Sequence, residues 1–201
     1  MPASARHRAV LAAALACALA GVAVAGPVTD KAAEIESMTA SGDYQGALAA
    51  SRDLTAALWD EVPGIVFSET LAVVEPAAGF GLYNPRPDTR YKTDEPVILY
   101  AEPFGFGYGT AGEGLFTIGF FVDLQVLAED GSELANVQNV TELNLASRYQ
   151  NREFQANITY NLTGIQPGKY RLVTTLRDKN SPKSGSFETE IEVVAAEDEG
   201  G

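Results

Sequence analysis

Carboxylates and aromatic rings are the residues whose number and spacing offer chemistry here, because the usual nucleophiles and metal ligands are almost missing. The single histidine, His7, and the single cysteine, Cys17, both lie within the first 25 positions, which read as a leader that is cut away. The remaining chain then has neither residue. That excludes a Ser-His-Asp or Cys-His nucleophile, zinc on imidazole or thiolate, histidine-ligated haem, iron–sulfur clusters and any disulfide framework. What remains is a pair of carboxylates, one protonated and one ionised, flanking a glycosidic bond. Glu102 at a strand end, with Asp123 on the polar face of a central strand or Glu113 in a glycine loop, is the pair to test. A glycoside hydrolase acting on extracytoplasmic polysaccharide is the alternative reading built on it. With 27 Asp and Glu some pair is unavoidable, so no catalytic residue is assigned and the chain is read as a non-enzyme.

Metal and cofactor readings are equally thin. Glu129-Asp130-Gly131-Ser132-Glu133 offers oxygens that suit calcium but lacks the spaced ligands of a known loop, and a hairpin turn explains it as well. Neither a metal nor a cofactor is expected. Asn139-Val140-Thr141, Asn157-Ile158-Thr159 and Asn161-Leu162-Thr163 match the glycosylation acceptor and are read as polar strand residues.

Two loops interleave glycine with aromatics: Gly79-Phe80-Gly81-Leu82-Tyr83-Asn84-Pro85-Arg86 and Phe104-Gly105-Phe106-Gly107-Tyr108-Gly109. If Phe80, Tyr83, Tyr91, Phe104, Phe106 and Tyr108 gather at one end of the fold, they form a platform for a sugar face, a peptide or a partner. The competing outcome is that the rings fold back and close the end of the core. Neither loop is a phosphate cradle, since no strand-to-helix context or lysine accompanies it.

Arg6, His7 and Arg8 form a positive n-region, Ala9–Val24 an apolar stretch rich in alanine and leucine, and Ala23-Val24-Ala25 a small-x-small cleavage site before Gly26. Those are the parts of a secretory signal over 1–25, so the product is expected in the periplasm or secreted. The apolar run falls short of the roughly 20 strongly apolar residues a spanning helix needs, and no later segment comes closer. Removing 1–25 takes away two arginines and no acid, leaving 12 basic against 27 acidic residues, a net −15 in place of −13. That charge opposes phosphate backbones and anionic membranes, so nucleic acid is excluded as a partner. A protein or a glycan of the extracytoplasmic space remains, with no oligomeric state implied.

The elements that must position these residues divide the chain into a leader, a helical hairpin over 26–62, a β-domain over 63–195 and an acidic tail over 196–201. Residues 28–60 are rich in Ala, Leu, Asp and Glu, with no proline between Pro27 and Pro63, which is helix composition. A first helix is expected to be capped by Thr29 or Asp30 and to run to about Thr39. After Ser41-Gly42-Asp43, a second is expected from Tyr44 to Trp59, with Tyr44/Leu48 and Leu54/Leu58 as apolar pairs at i, i+4. From Val62 on, short alternating runs rich in β-branched and aromatic residues give seven expected strands, approximately 65–75, 96–102, 115–128, 133–145, 152–163, 169–178 and 186–194. Phe116, Ile118, Phe120, Val122, Leu124 and Val126 form one apolar face of a central strand.

Two stretches resemble known families. Gly42-Asp43-Tyr44-Gln45-Gly46-Ala47-Leu48 resembles the turn and second helix of a tetratricopeptide unit, but Ser51 and Trp59 depart from the pattern and no second copy appears at a period near 34. Leu162-Thr163-Gly164-Ile165-Gln166-Pro167-Gly168-Lys169-Tyr170-Arg171-Leu172, with the strands that follow, resembles the last strands of immunoglobulin-like or fibronectin type III-like modules. The resemblance implies a mainly β fold, an immunoglobulin-like antiparallel β-sandwich of about seven strands preceded by a short α-helical hairpin. It also implies a structural role for Tyr170 as a tyrosine corner. The chain as a whole is similar to exported bacterial proteins with such a sandwich, a likeness that carries no activity. The reading is a non-catalytic exported module for binding, assembly or envelope structure.

Overall fold

Alternation of apolar and polar residues becomes a two-layer β-structure in the computed structural model, which describes residues 26–195. The expected leader and acidic tail lie outside the described residues. Two helices precede the strands: α1 (Pro27–Ala40) and α2 (Tyr44–Glu61). The cap of α1 is Gly26 with Pro27 in the first turn, not Thr29 or Asp30. Proline has no N–H to satisfy and its φ is preset for the first turn, so the start moves upstream to it. Asp30 lies inside that turn, near the positive end of the helix dipole. The helix stops at Gly42 (φ 81°), where Gly42 N donates to the Thr39 carbonyl at 3.1 Å and Asp43 N to the Met38 carbonyl at 2.9 Å. This is the glycine-terminated Schellman arrangement. Asp43 then accepts the Gly46 N–H at 2.9 Å and caps α2.

Tyr44 and Leu48, the expected apolar pair, are 66% and 62% exposed, whereas Ala47 and Ala50 are buried. Two compact units divide inside α2, between Ser51 and Arg52, so the last turns of this helix, with Trp59, belong with the strands. Among the described residues no helix is long and apolar enough to cross a membrane.

The strands are β1 (Val66–Ala72), β2 (Arg90–Lys92), β3 (Val97–Phe104), β4 (Gly109–Thr110), β5 (Phe116–Ala128), β6 (Glu133–Ser147), β7 (Ala156–Tyr160), β8 (Gly168–Asp178) and β9 (Ser184–Val194). They form a three-stranded sheet in the order β1-β3-β7 and a six-stranded sheet in the order β2-β9-β8-β5-β4, with β6 also paired to β5. All pairings are antiparallel except β2 with β9. The fold is mainly β, an immunoglobulin-like β-sandwich preceded by a helical hairpin. Each of the seven expected strands is present. The two additional ones, β2 and β4, span three and two residues, too short for a period of two to register.

The core lies between the sheets. Val97, Leu99 and Ala101 of β3 and Ala156, Ile158 and Tyr160 of β7 face Ile118, Phe120, Val122 and Leu124 of β5 with Leu172 and Leu176 of β8. Thr174 is buried on the inner row of β8, and its hydroxyl shares a 2.9 Å hydrogen bond with that of Tyr160, which satisfies both polar groups across the two layers. One long side of the sandwich is closed tightly. There Ile65 N donates to the Ser184 carbonyl at 2.9 Å, and the rings of Phe67 and Phe187 meet edge-on at 5.0 Å. A Cβ on Gly185 would stand 2.0 Å from the Ile65 carbonyl oxygen, so only glycine fits this crossing.

Candidate functional site

The six aromatic residues do not gather. Phe104, Phe106 and Tyr108 belong to the end of the main core, where Phe106 is 1% exposed and packs edge-on against Trp59, Tyr108, Phe120 and Phe154. The loop that carries them is held by its backbone. The Trp59 indole N–H donates to the Phe106 carbonyl at 2.7 Å, Gly107 N donates to Asp178 Oδ2 at 2.6 Å, and Lys183 Nζ donates to the Gly105 carbonyl at 2.9 Å. Gly105 permits this path, because at φ 82° an added Cβ would meet Val62 at 2.8 Å. Tyr91 is 2% exposed under the Arg86 guanidinium, which lies 4.0 Å from its ring centroid. Tyr83 stacks at 4.4 Å on Tyr100, on the outer face of the three-stranded sheet, and Phe80 is half-buried in the turn beside it. The rings are therefore divided among the sandwich end, the outer face and the core, because each closes apolar surface nearby. Tyr170 donates its hydroxyl proton to the Gln166 carbonyl at 2.7 Å, from the strand back to the preceding turn.

Glu102 and Asp123 lie on opposite outer faces, with the core between them. Glu102 projects from β3 alongside Tyr100, whose hydroxyl donates to it at 2.6 Å, and it also accepts the Ser68 hydroxyl at 2.7 Å. Burial, followed by this bond to Glu102, pushes the Tyr100 phenol up to about 12. Asp123 on β5 receives Arg177 through Nε at 2.7 Å and a second guanidinium nitrogen at 3.1 Å, together with the Asn139 N–H at 2.8 Å. The Arg177 bond is the main reason its carboxyl is held below the ordinary aspartate value. An aspartate held ionised in this way has no proton to give as a general acid. Glu113 is exposed in the turn between β4 and β5. Proximity across a cleft, which glycoside hydrolysis requires, does not relate Glu102 to Asp123.

At the turn considered for calcium, Asp130 Oδ1 accepts both the N–H and the hydroxyl of Ser132, at 2.9 and 2.6 Å, and Gly131 adopts φ 83°. A cavity of about 640 Å³ lies beside it, lined by Glu129, Lys169, Arg171 and Glu190 among others. Its cations are already in contact with acids: Lys169 with Glu129 at 3.8 Å and Arg171 with Glu188 at 3.4 Å. Among the described residues no group of three carboxylates is placed to hold a metal ion.

The opposite long side of the sandwich is open. Among the described residues β6 is bonded only to β5, and β7 only to β3, so each has one edge without a strand beside it. Register shows what this leaves bare. Ala135, Val137, Thr141, Leu143 and Leu145 of β6 stand opposite Val126, Leu124, Val122, Phe120 and Ile118 of β5, and so share their inward-facing side. On β5 that row is buried, with no member above 6% exposed; on β6, Val137 is 44% and Leu145 36% exposed. The three-stranded sheet ends at β7 and does not reach over β6. A groove results. One stretch of about 520 Å³ lies between Leu143 and Leu145 on one bank and Phe154, Gln155 and Asn157 on the other. A second of about 370 Å³ lies between Leu134 and Ala135 and the turn carrying Leu162 and Ile165. Phe154 floors the first stretch, 5.3 Å from Phe120.

This groove was not visible as a site in the sequence. β6 reads as one more alternating strand, and its exposure depends on how many strands the facing sheet has, which is not a local property. A signal does exist in hindsight: apolar residues on both parities of the same strand, Leu134 and Val140 against Val137, Leu143 and Leu145. Such a strand has no fully wet face.

No protein-family model matches the chain, and no curated protein matches it in sequence. Three solved structures are similar in part. A superoxide reductase (neelaredoxin) from Ignicoccus hospitalis is 13% identical with TM-score 0.32, over 54% of this chain and 77% of that one. A family 123 glycoside hydrolase from Clostridium perfringens is 10% identical with TM-score 0.33, over 64% of this chain and 27% of that one. A CARDB domain from Pyrococcus furiosus, in complex with di-metal ions, is 13% identical with TM-score 0.25, over 65% of this chain and 92% of that one.

Proposed function

We propose that this chain is a non-catalytic binding or assembly module of the periplasm or extracellular space, and that it engages a protein partner through the open side of its sandwich. The observation that carries the reading is Val137 and Leu145 on the inner row of β6, in register with the buried Leu124 and Ile118 of β5 yet 44% and 36% exposed. Exposed apolar rows beside an unpaired strand edge are a liability that folds ordinarily cover, and they mark interaction surfaces where they persist. A protein suits this surface better than a glycan, because its exposed apolar residues, Leu134, Val137 and Leu145, are aliphatic, while of the rings that line it Phe154 is buried and Tyr170 partly buried.

Site-specific photo-crosslinking in cells that export the chain tests the reading. A photoreactive residue at position 145 or 137 is expected to give discrete protein adducts that one at position 188, on the opposite outer face, does not. The same adducts from 188, or none from 145 and 137, would overturn it. Mass spectrometry of the exported product is expected to find Gly26 as its first residue; an intact leader on a cytoplasmic chain would remove the extracytoplasmic part.

A further inference from the structure

We infer that the groove accepts an extended strand of the partner, which pairs with the free edge of β7 and lays alternate apolar side chains onto the inner row of β6. This rests on the open side being the binding surface. Three features on the molecule converge on a strand and not on a helix or a loop. The first is hydrogen bonding: among the described residues β7 pairs with β3 on one edge and with no strand on the other, which lies on the side of the groove that Asn157 lines. The second is spacing. The exposed inner-row side chains of β6, Ala135, Val137 and Leu145, are separated by even numbers of residues, the period presented by an extended segment opposite them. The third is layer count, since the six-stranded sheet overhangs the three-stranded one, and a strand beside β7 occupies the missing position in the facing layer. Addition of a strand to an exposed edge combines these contributions: the backbone supplies affinity and alternate side chains supply specificity.

Charge selects the partner's chemistry. Two acids line the groove, Glu142, which Lys179 Nζ already holds at 2.5 Å, and the exposed Glu153, in a chain of net charge −13. A second copy of this chain would bring the same acids to the same rim, which opposes self-pairing. The segment that fits is apolar at alternate positions and flanked by lysine or arginine.

The full chain carrying Cys17→Ser and Asn161→Cys provides the test, because the exposed residue 161 directly follows β7 and a disulfide there holds a peptide at high effective concentration. Three synthetic peptides are tethered in turn: alternating Val and Thr with lysine ends, the same with two central prolines, and the same with glutamate ends. The first is expected to slow hydrogen exchange of the amides at 156–160 by about tenfold or more and to raise the Tm. The proline peptide is expected to do neither, and the glutamate-ended peptide is expected to protect less. Unchanged exchange with the first peptide, or equal protection by the proline peptide, overturns the strand; equal protection by the glutamate-ended peptide overturns the cationic flank. Crosslinks from position 145 without amide protection would leave the binding surface standing and remove only the strand, whereas loss of both removes the two together.

Discussion

The indole N–H of Trp59 donates to the carbonyl oxygen of Phe106 at 2.7 Å, and the two rings meet edge-on with centroids 4.9 Å apart. One side chain thus both satisfies and packs the glycine-rich loop that closes the core. Trp59→Phe keeps most of the ring contact but leaves a buried carbonyl unpaired, and is expected to cost about 1–3 kcal/mol. Trp59→Ala is expected to cost about 3–5 kcal/mol. Tyr44→Ala, at a residue 66% exposed, should stay within about 0.5 kcal/mol. Urea titration separates the three; equal midpoints for Trp59→Ala and Tyr44→Ala would contradict the packing described.

Gly185 and Gly131 make a second contrast. An added Cβ at 185 would overlap the Ile65 carbonyl oxygen at 2.0 Å, so backbone must shift, and Gly185→Ala is expected to cost about 2 kcal/mol or more. At Gly131 nothing lies within 4 Å, and the penalty of alanine comes only from φ 83°, about 1 kcal/mol. Thermal melts of the two variants should rank in that order.

The two rows facing inward from β5 and β6 should respond differently to truncation although they are in register. Phe120→Ala is expected to cost about 3–5 kcal/mol, as for a fully buried ring. Leu145→Ala, paired with Ile118 but 36% exposed, should cost about 1 kcal/mol or less. A large loss at Leu145 in isolated protein would mean that this side is covered after all.

Asp123 gives an acid-side dependence of definite sign. Its folded pKa lies below the ordinary value, chiefly through the Arg177 bond, so its contribution is present above the unfolded pKa of about 3.9 and is lost as pH falls through that value toward the folded one. Asp123→Asn should be less stable than the parent at neutral pH, and the gap should narrow below about pH 4. A gap that widens on acidification would reverse the assignment.

On the alkaline side, burial raises the phenols of Tyr100, Tyr108 and Tyr160 to about 12. A group that holds its proton longer when folded contributes stability below its unfolded pKa of about 10, and that stability is lost as pH rises from there to about 12. Ultraviolet difference titration is expected to show part of the phenolate signal appearing together with loss of the folded circular dichroism. Complete ionisation near pH 10 with the fold intact would contradict this burial.

How much could be read in advance follows the range of the interaction involved. The alternation of Phe116 through Val126 specified a half-buried central strand, because side-chain direction in a strand is a local property. The stop at Gly42 was equally local, although the start at Pro27 shows a backbone constraint overriding the side-chain caps at Thr29 and Asp30. The glycine-aromatic loops were recognisable as unusual, but whether Phe106 points outward or into the core depends on Trp59, 47 residues away. Tyr91 lies in a three-residue strand whose pairing with β9 crosses about half the chain, and no window of sequence contains it.

The unequal sheets also bear on the order in which the fold assembles. β5 and β6 are joined through the turn at Asp130-Gly131 and pair almost from end to end, whereas the facing sheet needs Val66 to find Phe104 and Val97 to find Tyr160. Closing a short loop forfeits less chain entropy than closing a long one, so the β5–β6 ribbon is expected to form early, with β8 docking next. Pulsed hydrogen exchange during refolding should protect β5 and β6 ahead of β3 and β7. For most of the larger sheet, apolar surface bared at that stage is transient. For Val137 and Leu145 of β6 much of it is never withdrawn, and the finished molecule keeps on one flank the stickiness of its own folding intermediate.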